Sequence, residues 1–103
     1  MAALPTAIEF FERRPLEDFV VGKRKFSPKA SINLQVDYEG GLWIIGFPFL
    51  DVVGKSTDYF EAKKMLMDYI DFLWFAYVSS PREEMGETGK LLRETLQELF
   101  IAN

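Results

Sequence analysis

Between Ser31 and Tyr38 the chain alternates without a break. Ile32, Leu34, Val36 and Tyr38 interleave with Ser31, Asn33, Gln35 and Asp37. A period of two puts one set on each side of a strand, one face for a core and one for water. Glu39-Gly40-Gly41 follows, and two successive glycines supply the positive φ values that a tight hairpin needs. The returning segment, Leu42–Phe47 (LWIIGF), has no polar position. Such a strand is expected to be covered on both faces, a helix on one and something else on the other. Pro48 ends it or marks a sheet edge. Leu50–Val53 reads as a third strand closed by Gly54.

A long helix is expected next. Asp58 is a good N-cap, with Glu61 three residues on. At roughly 100° per residue, Ala62, Met65, Leu66, Tyr69, Ile70, Phe72, Leu73, Ala76 and Tyr77 share one face. Glu61, Lys63, Lys64, Asp68 and Asp71 occupy the other face in the first turns, and Trp74, Phe75 and Val78 continue it. The aromatic, partly β-branched run Leu73–Ser79 also fits a fourth strand. Ser79–Gly89 contains Pro81, Gly86 and Gly89 and reads as a loop. A last helix, about Lys90 to Phe100, places Leu91, Leu92, Leu96, Leu99 and Phe100 on one stripe. The expected fold is α+β, a three- or four-stranded antiparallel sheet with one long helix across a face and a C-terminal helix.

Residues 1–30 read as an N-terminal extension to a single α+β domain over residues 31–103. Thr6 and Glu9 form a capping-box pattern for a short helix using Ala7, Ile8, Phe10 and Phe11, which Pro15 stops. Leu16–Val21 suits a turn or a short edge strand. Gly22–Ala30 reads as a loop, since Ser27-Pro28 disfavours helix.

The 103 residues contain no Cys and no His. That removes disulfides, thiolate metal sites, the commonest general base and the commonest zinc ligand. No cofactor is expected, and a binding protein is expected rather than an enzyme. Hydrophobic residues make up 49% of the chain and aromatics 16%, enough rings to build a core and leave some for a partner. Met1–Phe10 is too short an apolar run for a signal peptide and carries Glu9, so a cytoplasmic location is expected. The net charge of −4 is uneven. Six basic and four acidic side chains lie in residues 1–30, against six and twelve in the remainder. An acidic body suits a basic protein partner better than a phosphate backbone.

Residues 31–78 resemble the HicB-like antitoxin family. The matching residues are Val36-Asp37-Tyr38-Glu39-Gly40-Gly41, Trp43-Ile44-Ile45, Phe47-Pro48, Val52-Val53-Gly54, Ser56-Thr57 and Glu61-Ala62. The family's C-terminal DNA-binding element has no evident counterpart after Ser79. The resemblance implies a partial RNase H-like core without catalytic residues, assembly as dimers or tetramers, and neutralisation of a small basic RNA-cleaving toxin.

Three sets of side chains are candidates for function. Met67, Trp74, Phe75 and Val78 suit a protein interface, or cover by the C-terminal helix of the same chain; exchange of that helix between protomers satisfies both. Lys23, Arg24, Lys25 and Lys29, around Phe26, are candidate nucleic-acid contacts; on that alternative the chain is a small nucleic-acid-binding module. Asp37, Asp51 and Asp58 would have to converge to hold catalytic metal. A wet strand position, a turn residue and a helix cap are the expected account of them. Gly54-Lys55-Ser56 lacks the opening glycine of a phosphate loop, because Phe49 stands there.

Overall fold

The computed structural model describes residues 10–79 and 86–103. The fold is α+β, with seven antiparallel strands in two sheets among the described residues, a long helix and a C-terminal helix. Strands β1 (Phe10–Pro15), β4 (Asn33–Glu39), β5 (Leu42–Phe47) and β6 (Val52–Ser56) make a sheet in the order β1-β4-β5-β6. Strands β2 (Phe19–Val21), β3 (Arg24–Pro28) and β7 (Phe100–Ala102) make a second, in the order β2-β3-β7. Helix α1 (Tyr59–Trp74) passes into a π-helix over Phe75–Ser79, and α2 (Glu87–Leu99) runs directly into β7. The chain forms two compact units. One holds the four-stranded sheet and α1 as far as Leu66; the other holds the three-stranded sheet, α1 from Met67, the π-helix and α2.

In the first unit the expected hairpin forms at Gly40 and Gly41, with φ of 61° and 83°. It sets the register Val36↔Ile45 and Tyr38↔Trp43. Strand β6 extends the sheet, placing Gly54 opposite Ile45 and Val52 opposite Phe47. Leu34, Val36, Ile45, Phe47, Val52, Ala62 and Leu66 are buried. Gly54 does not close the third strand but sits inside it, where the backbone of α1 comes so near that a side chain would collide. Helix α1 starts as expected. The Asp58 carboxylate accepts from the Phe60 N–H at 3.3 Å, and the Asp58 carbonyl accepts from the Ala62 N–H at 3.0 Å. Glu61 accepts from the Ser56 hydroxyl at 2.9 Å rather than closing a capping box on Asp58.

Strand β5 is not covered equally on its two faces. On the face away from Val36 and Ile45, Ile44 stands between Asp37 and Lys55 and is only half-buried. Gly46, the next position on that face, offers no side chain to cover. The neighbours of Ile44 in register, Asp37 and Lys55, are charged, and Val53 beside Gly46 on the same face is also exposed.

In the second unit Phe26 is the hub. Its ring stacks on Phe19 at 4.9 Å and meets Phe100 at 5.7 Å and Trp74 at 5.6 Å edge-on. Phe26 and Phe100 are almost wholly buried, with Phe19, Ile32, Ile70, Leu73 and Leu96 also in the core. Each such ring pair contributes about 0.5–1.5 kcal/mol beyond area burial. Lys25 and Asn103 exchange both backbone hydrogen bonds, at 3.0 and 2.9 Å, beyond the end of β7.

Several local expectations are corrected. Phe10 and Phe11 are strand, not helix; Thr6–Glu9 lie outside the described residues. Pro15 stops no helix but ends β1, an edge strand that tolerates its missing N–H. The expected loop Gly22–Ala30 is a Gly22-Lys23 turn followed by β3, because burying Phe26 between Phe19 and Phe100 outweighs the local turn preference. Leu73–Ser79 is helical throughout, α then π, and not a strand. Gly89 lies inside α2, which begins at Glu87, while residues 80–85, Pro81 among them, lie outside the described residues. Among the described residues no helix is long and apolar enough to cross a membrane.

Candidate functional site

Nine residues of the long helix span an apolar arc of about 160° at 100° per residue, wider than the roughly 100° stripe a packed helix buries. Ala62, Leu66, Ile70 and Leu73 take the buried part. The surplus is exposed: Met65, Tyr69 and Phe72, on the shared apolar face, are 50%, 46% and 61% exposed. Within the second unit, the Tyr69 and Phe72 rings touch edge-on at 6.3 Å. Phe75, one turn on, is 58% exposed. The width of the arc was readable in the sequence, but not which edge of it would stay wet.

An open depression of about 450 Å³ lies beside Phe75 in the same unit. Its lining is Val21, Gly22, Lys23, Arg24, Asp71, Phe75 and Asn103. The β2–β3 turn, made possible by φ of 62° at Gly22, carries Lys23 and Arg24 to the rim. Arg24 Nη1 donates to Asp71 Oδ1 at 2.7 Å, with both side chains 28% exposed. This pair ties the turn to α1 and holds the guanidinium in place.

The candidate residues are thus regrouped. Lys23 and Arg24 meet Phe75 at one depression, although the sequence suggested separate roles for them. Lys25 projects to the opposite side of β3 from Phe26 and faces Asp18 at 3.6 Å, an exposed pair of little energetic weight. Lys29 lies past the end of β3, where its backbone N–H donates to the Leu99 carbonyl at 2.8 Å. Trp74 belongs to the ring cluster around Phe26, while Met67 and Val78 are half-buried. Asp37 lies on β4, Asp51 in the turn before β6 and Asp58 at the helix cap. Among the described residues no group of three or more acidic side chains is placed to hold a metal ion.

The first unit carries its own aromatic surface. Tyr38 and Trp43, opposite each other across β4 and β5, have ring centroids 4.8 Å apart. Trp43 meets Tyr59 at 5.4 Å, and Tyr59 meets the exposed Phe60 at 5.2 Å. The Arg14 guanidinium covers the Tyr59 ring at 4.9 Å and pairs with Glu12. Hydrogen bonds to Glu12, then Tyr59, raise the Arg14 pKa further. These rings were legible only as strand and helix positions, since register and the cap bring them together.

No protein-family model matches the chain, and neither a curated protein nor a solved structure matches it.

Proposed function

We propose that this chain is a non-catalytic protein-binding domain of HicB-like antitoxin type, whose partner is a small basic protein and which self-associates, as a dimer in the first instance. The observation that carries the reading is the exposed pair Tyr69 and Phe72, whose rings meet on one helix. Leaving such a ring in water forfeits roughly 1.5–3 kcal/mol relative to burying it fully. Aromatic residues are the side chains that interfaces enrich and on which their energy concentrates. The net charge of −4 adds long-range attraction for a basic partner. The order β4, hairpin, β5, β6, α1 also agrees with the strand and helix order that the family resemblance leads one to expect.

The test is co-expression with the product of a short, basic open reading frame adjacent to this gene. If that product arrests growth, the wild-type chain should relieve the arrest and co-purify with it. Tyr69→Gln combined with Phe72→Gln should fold normally and lose both effects. Relief that survives the double change, or an adjacent product that neither arrests growth nor binds, sinks the reading.

A further inference from the structure

We propose that the depression between the Gly22-Lys23 turn and Phe75 is a nucleotide-binding site, taking the base against the Phe75 ring and the phosphate between Lys23 and Arg24. The inference is independent of the protein-binding reading above. Its warrant is that three chemically distinct elements meet at one opening in a single compact unit. The first is an aromatic face left 58% exposed, on which a nucleobase of any identity can stack. The second is a pair of adjacent cations at the rim, with Arg24 already oriented by its 2.7 Å bond to Asp71. A guanidinium held in this way meets a phosphate without first losing its conformational freedom. The third is Asn103 in the lining, whose amide is a side chain of the kind that both donates to and accepts from a base edge.

The depression's volume, about 450 Å³, lies within the roughly 300–1,000 Å³ common for small-ligand sites. The helix also changes from α to π geometry at Phe75, the kind of local departure that recurs at functional sites. Asp71 is the one acidic side chain of the lining and is paired with Arg24, while Lys23 brings a second cation to the rim. A bare anion would not use the ring, and an apolar ligand would not use the cations. A nucleotide uses both. The same chemistry is offered by a free mononucleotide and by one unit of single-stranded RNA.

Binding to the full chain is measured by calorimetry with adenosine 5′-monophosphate and by fluorescence anisotropy with a labelled octa-adenylate, with inorganic phosphate as the third probe. Either nucleotide probe should bind and shift the amide resonances of Gly22, Lys23, Arg24 and Asn103. A tighter oligomer assigns single-stranded RNA, and mononucleotide binding of equal or greater strength assigns the free nucleotide. Phe75→Ala should weaken binding roughly 5- to 150-fold, the contribution of one base–ring stack, while Phe75→Tyr should retain it. Lys23→Ala should weaken binding and, for the oligomer, lower the salt-dependence slope by about one. Both side chains are exposed, so the variants should keep the wild-type circular dichroism. Absence of binding by both nucleotide probes at millimolar concentration overturns the proposal. So does binding that either substitution leaves unchanged, or that phosphate alone reproduces at equal affinity.

Discussion

A Cβ on Gly54 would stand 2.0 Å from the carbonyl oxygen of Ala62, closer than any two such atoms can approach. The same Cβ would lie 3.0 Å from the Leu66 backbone nitrogen. Helix α1 is therefore seated directly on β6, with a glycine below and an alanine above the contact.

Gly54→Ala should accordingly be among the most damaging single-methyl changes available in the first unit. The atoms it meets are backbone and cannot swing aside. A loss of at least about 1–3 kcal/mol is expected, the usual range for overpacking. Urea unfolding with the slope m unchanged measures it; a variant within about 0.5 kcal/mol of wild type would show that the helix shifts freely.

At the hairpin, Gly41 has open space around its Cα but a φ of +83°. Gly41→Val should cost about 1–2 kcal/mol through backbone strain alone. Gly40→Asn, at +61°, should cost distinctly less, because Asn tolerates the left-handed region. Equal losses at the two positions would assign the effect to something other than φ.

These two sites also mark what could be read in advance. The alternating strand, the Gly40-Gly41 turn and the Asp58 cap are local chemistry, and each appears where its residues predict. Strands β1 and β3 were missed because their local signals point the other way. Pro15 and Ser27-Pro28 look like breaks, and only pairing with Asn33 to Tyr38, or with Phe100 to Ala102, makes strands of them. For the candidate site, Lys23, Arg24 and Phe75 were each visible, but their meeting depends on how β3 packs against α1. The exposed Tyr69 and Phe72 were hidden among residues of the same type that are buried.

Trp74 and Phe75 are neighbours in sequence with opposite expected behaviour. Trp74→Ala removes an edge-on partner of Phe26 and should cost on the order of 3 kcal/mol in stability. Phe75→Ser should change stability by no more than about 0.5 kcal/mol. Light scattering at micromolar concentration should report a dimer or larger for the wild type, and a folded monomer when Tyr69 and Phe72 are both changed to Ser. A wild-type monomer would remove self-association from the proposed function.

The Arg24–Asp71 pair is partly shielded and should couple by about 0.5–1 kcal/mol in a double-mutant cycle of Arg24→Ala and Asp71→Ala. Raising the ionic strength to about 1 M should reduce that coupling, since the Debye length falls to about 3 Å. A coupling near zero at low salt would mean that the guanidinium is not held by the carboxylate.

The pairing of Phe26 with Ala102 has a consequence for how the protein is made. The two residues are roughly 75 positions apart, so the ribosome releases Phe26 about 4–15 s before its partner strand exists. During that interval Phe19 and Phe26 have neither Phe100 nor Trp74 to complete their packing, and β3 offers a bare edge to any neighbouring nascent chain. Slowing translation after Pro28 would lengthen that exposure; holding the nascent segment on a chaperone until β7 emerges would protect it.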